Sequence, residues 1–296
     1  MPVLKELGQT DVIVYYSRIA ANAAVKRFLR DKEIATKIWL PKGIPYFIKR
    51  GSKEPPLSVE EIANAVDKNF MELRKSGQGL GSVRGKLSRK QAKVWDYFPP
   101  RKLIDFFYAT NNEGSGKPLE RVYFDIDRSG QPAEKAQLVA AELAALISKE
   151  QEFRKKTGGF SMFVLWTGSS FHIYLLLKKK IPHSVYDREI HFSKNKPLES
   201  FTGRWAEEID KKLRINVIGG HQKQKGCINI DPSQSPSGKL ARAPFSLHMR
   251  DAKTVDGVAI PLTVEMLKDN GLVGKLRKYT PDRTLKELPE LARRLP

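Results

Sequence analysis

The run Val122-Tyr123-Phe124-Asp125-Ile126-Asp127 sets two carboxylates one residue apart at the end of an otherwise apolar, strand-like stretch. Strand alternation puts Asp125 and Asp127 on the same face. Two like charges on a buried strand repel each other and resist desolvation. A divalent cation removes that objection: oxygen ligands at this spacing suit Mg²⁺ or Mn²⁺, commonly together with the phosphates of a substrate. The plainer account is a strand running out into the polar turn Arg128-Ser129-Gly130, and the motif alone leaves both open. A second constellation is the hairpin from Leu165 to Tyr174, whose turn Thr167-Gly168-Ser169-Ser170 is dense in hydroxyls and whose return strand begins Phe171-His172. Ser170 and His172 share a face there. Backbone N–H groups, hydroxyls and an imidazole can receive an anion such as a triphosphate, although an ordinary hairpin with one backbone-bonded histidine explains this segment better when it is taken alone. Ile228-Asn229-Ile230-Asp231 is a further apolar strand ending in a carboxylate, and a third carboxylate is the usual requirement of two-metal phosphoryl or nucleotidyl transfer. Leu240 to Arg250 adds Arg242, His248 and Arg250, cations of the kind that clamp phosphates and stabilise a leaving pyrophosphate.

Composition narrows the partners of such a site. The chain has 296 residues, enough for one large domain or two small ones, and its 40% hydrophobic content allows a sizeable core. No apolar run approaches the roughly 20 residues of a membrane span. The start Met-Pro-Val-Leu-Lys-Glu lacks a signal-peptide core. One cysteine, Cys227, excludes an internal disulfide and a multi-cysteine zinc site, so no zinc is expected. A soluble, cytoplasmic and nucleoid-associated protein is the expectation. The formal net charge of +20 points to a polyanion, either nucleic acid or an anionic membrane surface. Its clearest concentration runs from Arg74 to Lys93, with Arg74, Lys75, Arg84, Lys86, Arg89, Lys90 and Lys93 and no acidic residue between. Interspersed glycines and serines give it no apolar face for a membrane, and predict a mobile loop that tracks phosphates. A merely solvated loop is the alternative.

The elements that position these groups follow from periodicity and punctuation. The spacing predicts amphipathic helices over Val12 to Phe28, with Asp11 as N-cap, and over Ser58 to Leu73, with Ser58 and Glu61 as a capping box. Short strands are expected from Ile38 to Ile48 around a Gly43-Ile44-Pro45 turn, and a short helix from Pro99-Pro100 to Tyr108. After the Asp-x-Asp strand come a helix from Pro132 to Phe153, strands at Phe160–Trp166 and Phe171–Leu177, and a helix from Ser200 to Leu213. Strands at Cys227 to Ile230 and Lys239 to His248, a helix from Leu262 to Asn270, and a charged tail complete the reading. The order argues for an α+β fold.

The order of the four motifs resembles the archaeo-eukaryotic primase superfamily, over roughly Arg121 to Leu262. Phe124-Asp125-Ile126-Asp127 matches its first motif, Ser170-Phe171-His172 its second and Ile230-Asp231 its third, while Arg242-Ala243-Pro244-Phe245-Ser246-Leu247-His248 is similar to the segment that follows in primase small catalytic subunits. Asp11 to Ala20 and Lys42 to Lys49 resemble the polymerase domains of bacterial end-joining ligases, where the lysine of the second segment helps hold the 5′-phosphate of a broken end; Lys49 stands at that position. The turn before His172 is shorter than in many relatives, so either Ser169 or Ser170 could fill the serine role.

The resemblance implies a primase-type α+β fold within 1–275: an N-terminal α/β module (about 1–115) packed on an RRM-like catalytic module (116–275), the active site in the cleft between, and a tail or linker over 276–296. It implies a stand-alone template-dependent nucleotidyltransferase, a DNA primase or primase-polymerase, or alternatively an end-joining gap-filling polymerase. Asp125, Asp127 and Asp231 would hold two Mg²⁺ or Mn²⁺ ions, with Ser169 or Ser170, His172, Arg242 and His248 on the nucleotide. Lys49 and the Arg74–Lys93 cations would lie on nucleic acid. The implied partners are a DNA template, nucleoside triphosphates, and a primase large subunit or a separate DNA ligase with an end-binding protein; no membrane is among them. A sugar-nucleotide glycosyltransferase, which also uses Asp-x-Asp, and a non-catalytic nucleic-acid-binding protein are the readings from other classes.

Overall fold

The computed structural model describes residues 12–40 and 46–296; Asp11 and the Gly43-Ile44-Pro45 turn lie outside the described residues. In chain order the strands are β1 (Ile34–Trp39), β2 (Tyr46–Lys49), β3 (Ile104–Ala109), β4 (Leu119–Asp127), β5 (Phe160–Trp166), β6 (Phe171–Ile181), β7 (Val217–Gly219), β8 (Ile228–Asp231), β9 (Leu240–Arg242), β10 (Leu247–Met249), β11 (Val255–Val258) and β12 (Ile260–Leu262). They form sheets of order β2-β1-β3-β9, β10-β11 and β12-β5-β6-β4-β8-β7. The chain divides into two units. One comprises Met1–Ala109, Ala241–Ile260 and Tyr279–Leu295, the other Thr110–Leu240 and Pro261–Lys278 with Pro296.

In the second unit, β4 lies between β6 and β8 and is antiparallel to both. Its alternation is visible in its neighbours. Phe124 meets Trp205 of the helix Phe201–Leu213, with ring centroids 5.9 Å apart. The helix Ala133–Lys149 packs on β4 and β6, and Phe201–Leu213 packs on that helix and on β7 and β8. Val122, Phe124 and Ile126 therefore serve the core. Tyr123, Asp125 and Asp127 take the opposite face, where Tyr123, Tyr174 and Phe163 stack across β4, β6 and β5 with centroids 5.0 and 4.8 Å apart.

Several expectations are corrected, most of them in the first unit. Ile104–Ala109 is a buried strand rather than a helix: Ile104, Phe106 and Tyr108 are fully buried between β1 and β9. The helix over Val12 to Phe28 is interrupted at Asn22, whose side chain caps Ala23–Phe28. That over Ser58 to Leu73 is interrupted likewise at Asp67, which caps Lys68–Lys75, while the Ser58/Glu61 capping box forms as expected. The Arg74–Lys93 segment is no loop: it holds the end of Lys68–Lys75, a short helix Leu80–Val83, a 3₁₀ turn Arg84–Lys86, and the start of Arg89–Tyr97 behind a Ser88/Gln91 capping box. Lys239 to His248 is two short strands, because Phe245 adopts φ 65° and turns the chain between β9 and β10. Leu262 to Asn270 is the end of β12 followed by a 3₁₀ helix, Val264–Lys268. The expected tail is a helix, Pro281–Ala292, that buries Leu288 and Leu291. The modules also do not follow chain order, since 241–260 and 279–295 belong with the N-terminal segment.

Candidate functional site

The register of three strands assembles the acidic site. Asp125 on β4 stands opposite Asp231 on β8 and opposite His172 on β6. The three form one lateral row, with Asp127 one step along, opposite Asn229. Asp125 and Asp127 are half-exposed, with side-chain exposures of 34% and 26%, on a strand that is otherwise mostly buried. Each acid has protein partners. Asp125 Oδ1 lies 3.4 Å from His172 Nε2. Asp127 accepts from Ser129 N at 3.0 Å and is paired with Lys223 Nζ at 2.6 Å. Asp231 accepts from Ser233 N and Oγ at 2.8 and 2.9 Å. Burial holds the Asp231 carboxyl above the usual aspartate range; the Ser233 hydrogen bonds pull it down, nearby Asp125 adds to the upward push, and His221 opposes it. The Asp127 hydrogen bond raises the Lys223 ammonium above the ordinary lysine value.

The hairpin supplies the next layer. Thr167 Oγ1 accepts from Ser169 N and Ser170 N at 3.4 and 3.0 Å, and Gly168 at φ 101° takes the position a side chain would strain. Ser170 Oγ donates to the Ile126 carbonyl, which ties the turn to β4. Arg128 Nε donates to the Ser169 carbonyl at 3.0 Å, so the turn after the Asp-x-Asp strand and the hairpin turn are fastened together. His172 is buried, its Nε2 lies 3.2 Å from the Tyr123 hydroxyl, and its Nδ1 has no hydrogen-bond partner among the described residues.

Asp125, Asp127, Asp231, Ser169, Ser170 and His172 thus share one unit. Arg242, His248, Lys49 and the basic segment belong to the other. There Arg242 donates to the Leu247 carbonyl at 2.8 Å and lies 3.6 Å from the buried Asp105, and His248 Nδ1 is 2.6 Å from Asp256. Lys49 is paired with Asp96 at 2.5 Å and lies 4.0 Å from Glu54. Arg74 is buried, its guanidinium 4.6 Å from the Trp95 ring centre and 5.5 Å from that of Phe70. Its role in the expected phosphate-tracking set is therefore corrected: this cation packs against aromatics. Lys75 is exposed and paired with Glu72 at 2.6 Å. Arg84, Lys86, Arg89 and Lys90 are exposed.

The donor set Asp125, Asp127 and Asp231 is all oxygen, as Mg²⁺ and Mn²⁺ require. The upward pressure on Asp231 is what a bound cation would relieve. Among the described residues, no three His, Cys, Asp or Glu side chains form a group able to hold a metal ion as placed. Asp127 is turned to Lys223 and Asp231 to Ser233, so a metal ion would share or contest these carboxylates with those partners. The sequence reading missed Lys223, His221 and Tyr123. Two of them stand in His221-Gln222-Lys223-Gln224-Lys225, a basic stretch between Gly220 and Gly226 directly before β8, and that proximity was the available signal.

No protein-family model matches the chain, and no curated protein does. A solved structure of the polymerase domain from Mycobacterium tuberculosis ligase D in complex with DNA resembles it, at 18% identity and a TM-score of 0.56, over 96% of this chain and 92% of that one. At that identity the likeness shows the fold, which is the mixed α+β, primase-type fold expected from the motif order. No helix among the described residues is long and apolar enough to cross a membrane.

Proposed function

We propose that the chain is a template-dependent nucleotidyltransferase acting on DNA. The observation that carries the reading is the row of Asp231, Asp125 and His172 across three strands, with Asp127 beside it. Asp125, Asp127 and Asp231 would hold Mg²⁺ or Mn²⁺, which when bound lowers the pKa of an attacking hydroxyl and neutralises triphosphate charge. His172, whose Nε2 lies beside Asp125, would hydrogen-bond a phosphate oxygen there. Ser169, on the turn that Thr167 and Arg128 hold, would bring its hydroxyl to the same phosphates. Ser170 would act through position, keeping that turn on β4. Arg242 and His248 would contribute cations to the phosphates, Arg84, Lys86, Arg89 and Lys90 would meet the nucleic-acid backbone, and Lys49 would meet a 5′-phosphate only by exchanging Asp96 for it. A net charge of +20 disfavours the sugar-nucleotide reading, whose acceptor has no need of it.

The neighbouring fold is the polymerase domain of a ligase in complex with DNA, which supports gap filling as the setting; priming is the second reading, supported by the resemblance of 242–248 to primase small subunits. Incubation with a labelled template, with and without primer and downstream 5′-phosphate, with Mn²⁺ and ribo- or deoxynucleotides, tests both. Extension that is lost by at least about 10³-fold in Asp125→Ala, with DNA binding kept, is the expected result, since several kcal/mol of barrier lowering rests on the ligand set. Incorporation by Asp125→Ala at the wild-type rate overturns it. Product without primer selects the priming reading.

A further inference from the structure

The first unit contains a cavity of about 720 Å³ that lies among residues none of which belongs to the acidic row. Its size is within the roughly 300–1,000 Å³ of pockets that hold nucleotide-sized ligands. Leu80, Leu87 and Ala92 line it together with Arg84, Arg89 and Lys90. The carboxylates that also line it are already engaged: Asp96 with Lys49 at 2.5 Å, Glu54 with the same lysine at 4.0 Å, and Glu61 with Lys93 at 2.7 Å. Arg84, Arg89 and Lys90 are exposed and form no ion pair with any described residue, so the charge left over at the cavity is positive. Their placement also runs against local stability. Arg89 and Lys90 occupy the first turn of the helix Arg89–Tyr97, which has no acidic residue there, so they face the positive end of its dipole. Cations held in that position without a protein counter-charge suit an external anion.

We propose that this cavity is a second nucleotide-binding site, distinct from the acidic row. Arg84, Arg89 and Lys90 take a phosphate, and the wall of Leu80, Leu87 and Ala92 takes the attached base. The nucleotide has two possible sources with the same chemistry, an unpaired residue of a nucleic-acid strand or a free nucleoside polyphosphate. The proposal rests on the reading of Arg84, Arg89 and Lys90 as phosphate contacts and adds to it the cavity that receives a base.

The test is binding by the full chain, read by fluorescence anisotropy with a short single-stranded oligonucleotide, and by calorimetry with ATP. The triple variant Arg84→Gln, Arg89→Gln, Lys90→Gln should weaken binding at least tenfold. It should flatten the dependence of log K on log salt by about 0.7 for each single-strand phosphate that the variant no longer neutralises. Ala92→Trp, which fills the cavity and leaves the cations, should weaken binding at least fivefold with the salt slope unchanged, and an abasic oligonucleotide should lose as much on the wild type. Leu80→Trp repeats the filling from another lining position, and a circular dichroism spectrum like that of the wild type qualifies each variant. Loss of ATP binding alone in the filled variants assigns the site to free nucleotide, and loss of strand binding assigns it to the strand; either supports the proposal. Unchanged oligonucleotide and ATP affinity in both folded filling variants overturns it, as does a triple variant that binds both probes as the wild type does. All titrations are run in EDTA, so that a metal-dependent triphosphate site at the acidic row contributes nothing and a failure here is separated from a failure of the catalytic reading.

Discussion

Asp231 pays for its position: it is buried, opposite Asp125, and pushed above the ordinary aspartate range. A raised carboxyl pKa means that the folded state holds the proton more tightly than the unfolded one, so this residue's contribution to stability is present below the unfolded value of about 3.9 and is lost as pH rises through the folded value. Asp231→Asn should therefore melt at a higher temperature than the wild type at pH 7, with the advantage shrinking toward pH 4. Mn²⁺ should raise the melting temperature of the wild type and leave the variant unmoved. Differential scanning fluorimetry across pH, with and without metal, reads both; a variant that melts lower at neutral pH contradicts the account. Lys223 belongs to the same balance. It is the counter-ion of Asp127 in the structure, through an exposed side chain. Lys223→Met should let Mn²⁺ bind more tightly in the absence of nucleotide, by up to about fivefold, the equivalent of about 1 kcal/mol for an exposed pair; titration followed by electron paramagnetic resonance measures it. Asp125, Asp127, Asp231 and His172 were legible because alternation and motif order name them directly. Lys223 was not, because an ion pair across strands depends on which loop the sheet brings alongside, and the sequence holds 53 lysines and arginines from which to choose.

Elements with one face to bury were legible; elements buried all round or broken by a cap were not. The helix Ala133–Lys149 and the strands β5 and β6 lie close to where periodicity sets them. Ile104 to Ala109 is apolar but for Asp105 and lacks a clear period, and such a run does not distinguish a buried strand from a helix. Asn22 and Asp67 each end one helix and cap the next, a local hydrogen-bonding choice that hydrophobic spacing does not report. The last segment misled by composition, since its charges face solvent while Leu288 and Leu291 are buried. This helix should matter to stability. Removing residues 279–296 should lower the melting temperature, and Leu291→Ala, at a fully buried position, should cost about 2–5 kcal/mol in urea unfolding. A solvated tail could be deleted without a change in the midpoint.

At the scale of the whole molecule, the first unit is discontinuous because β9 pairs with β3 and the helix Pro281–Ala292 packs on the helix Ile13–Ala21. No local signal carries that, since it depends on pairings between segments far apart in the chain. Charge is legible at this scale, as it needs no coordinates. A net +20 over 296 residues is a cationic excess left even if every acid were paired, and it destabilises the folded chain by self-repulsion. A polyanionic partner converts that cost into affinity through release of counter-ions. If the chain neutralises about six phosphates on duplex DNA, log K should fall against log salt with a slope of about −5, and affinity should drop by about 10³-fold between 50 and 200 mM salt. Fluorescence anisotropy with a labelled duplex at four or five salt concentrations gives the slope. A slope near −1, with micromolar binding at every salt concentration, would mean that the charge serves solubility rather than a strand. A steep slope shared by random duplexes of equal length would place the recognition in the phosphates, as the proposed template-dependent activity requires.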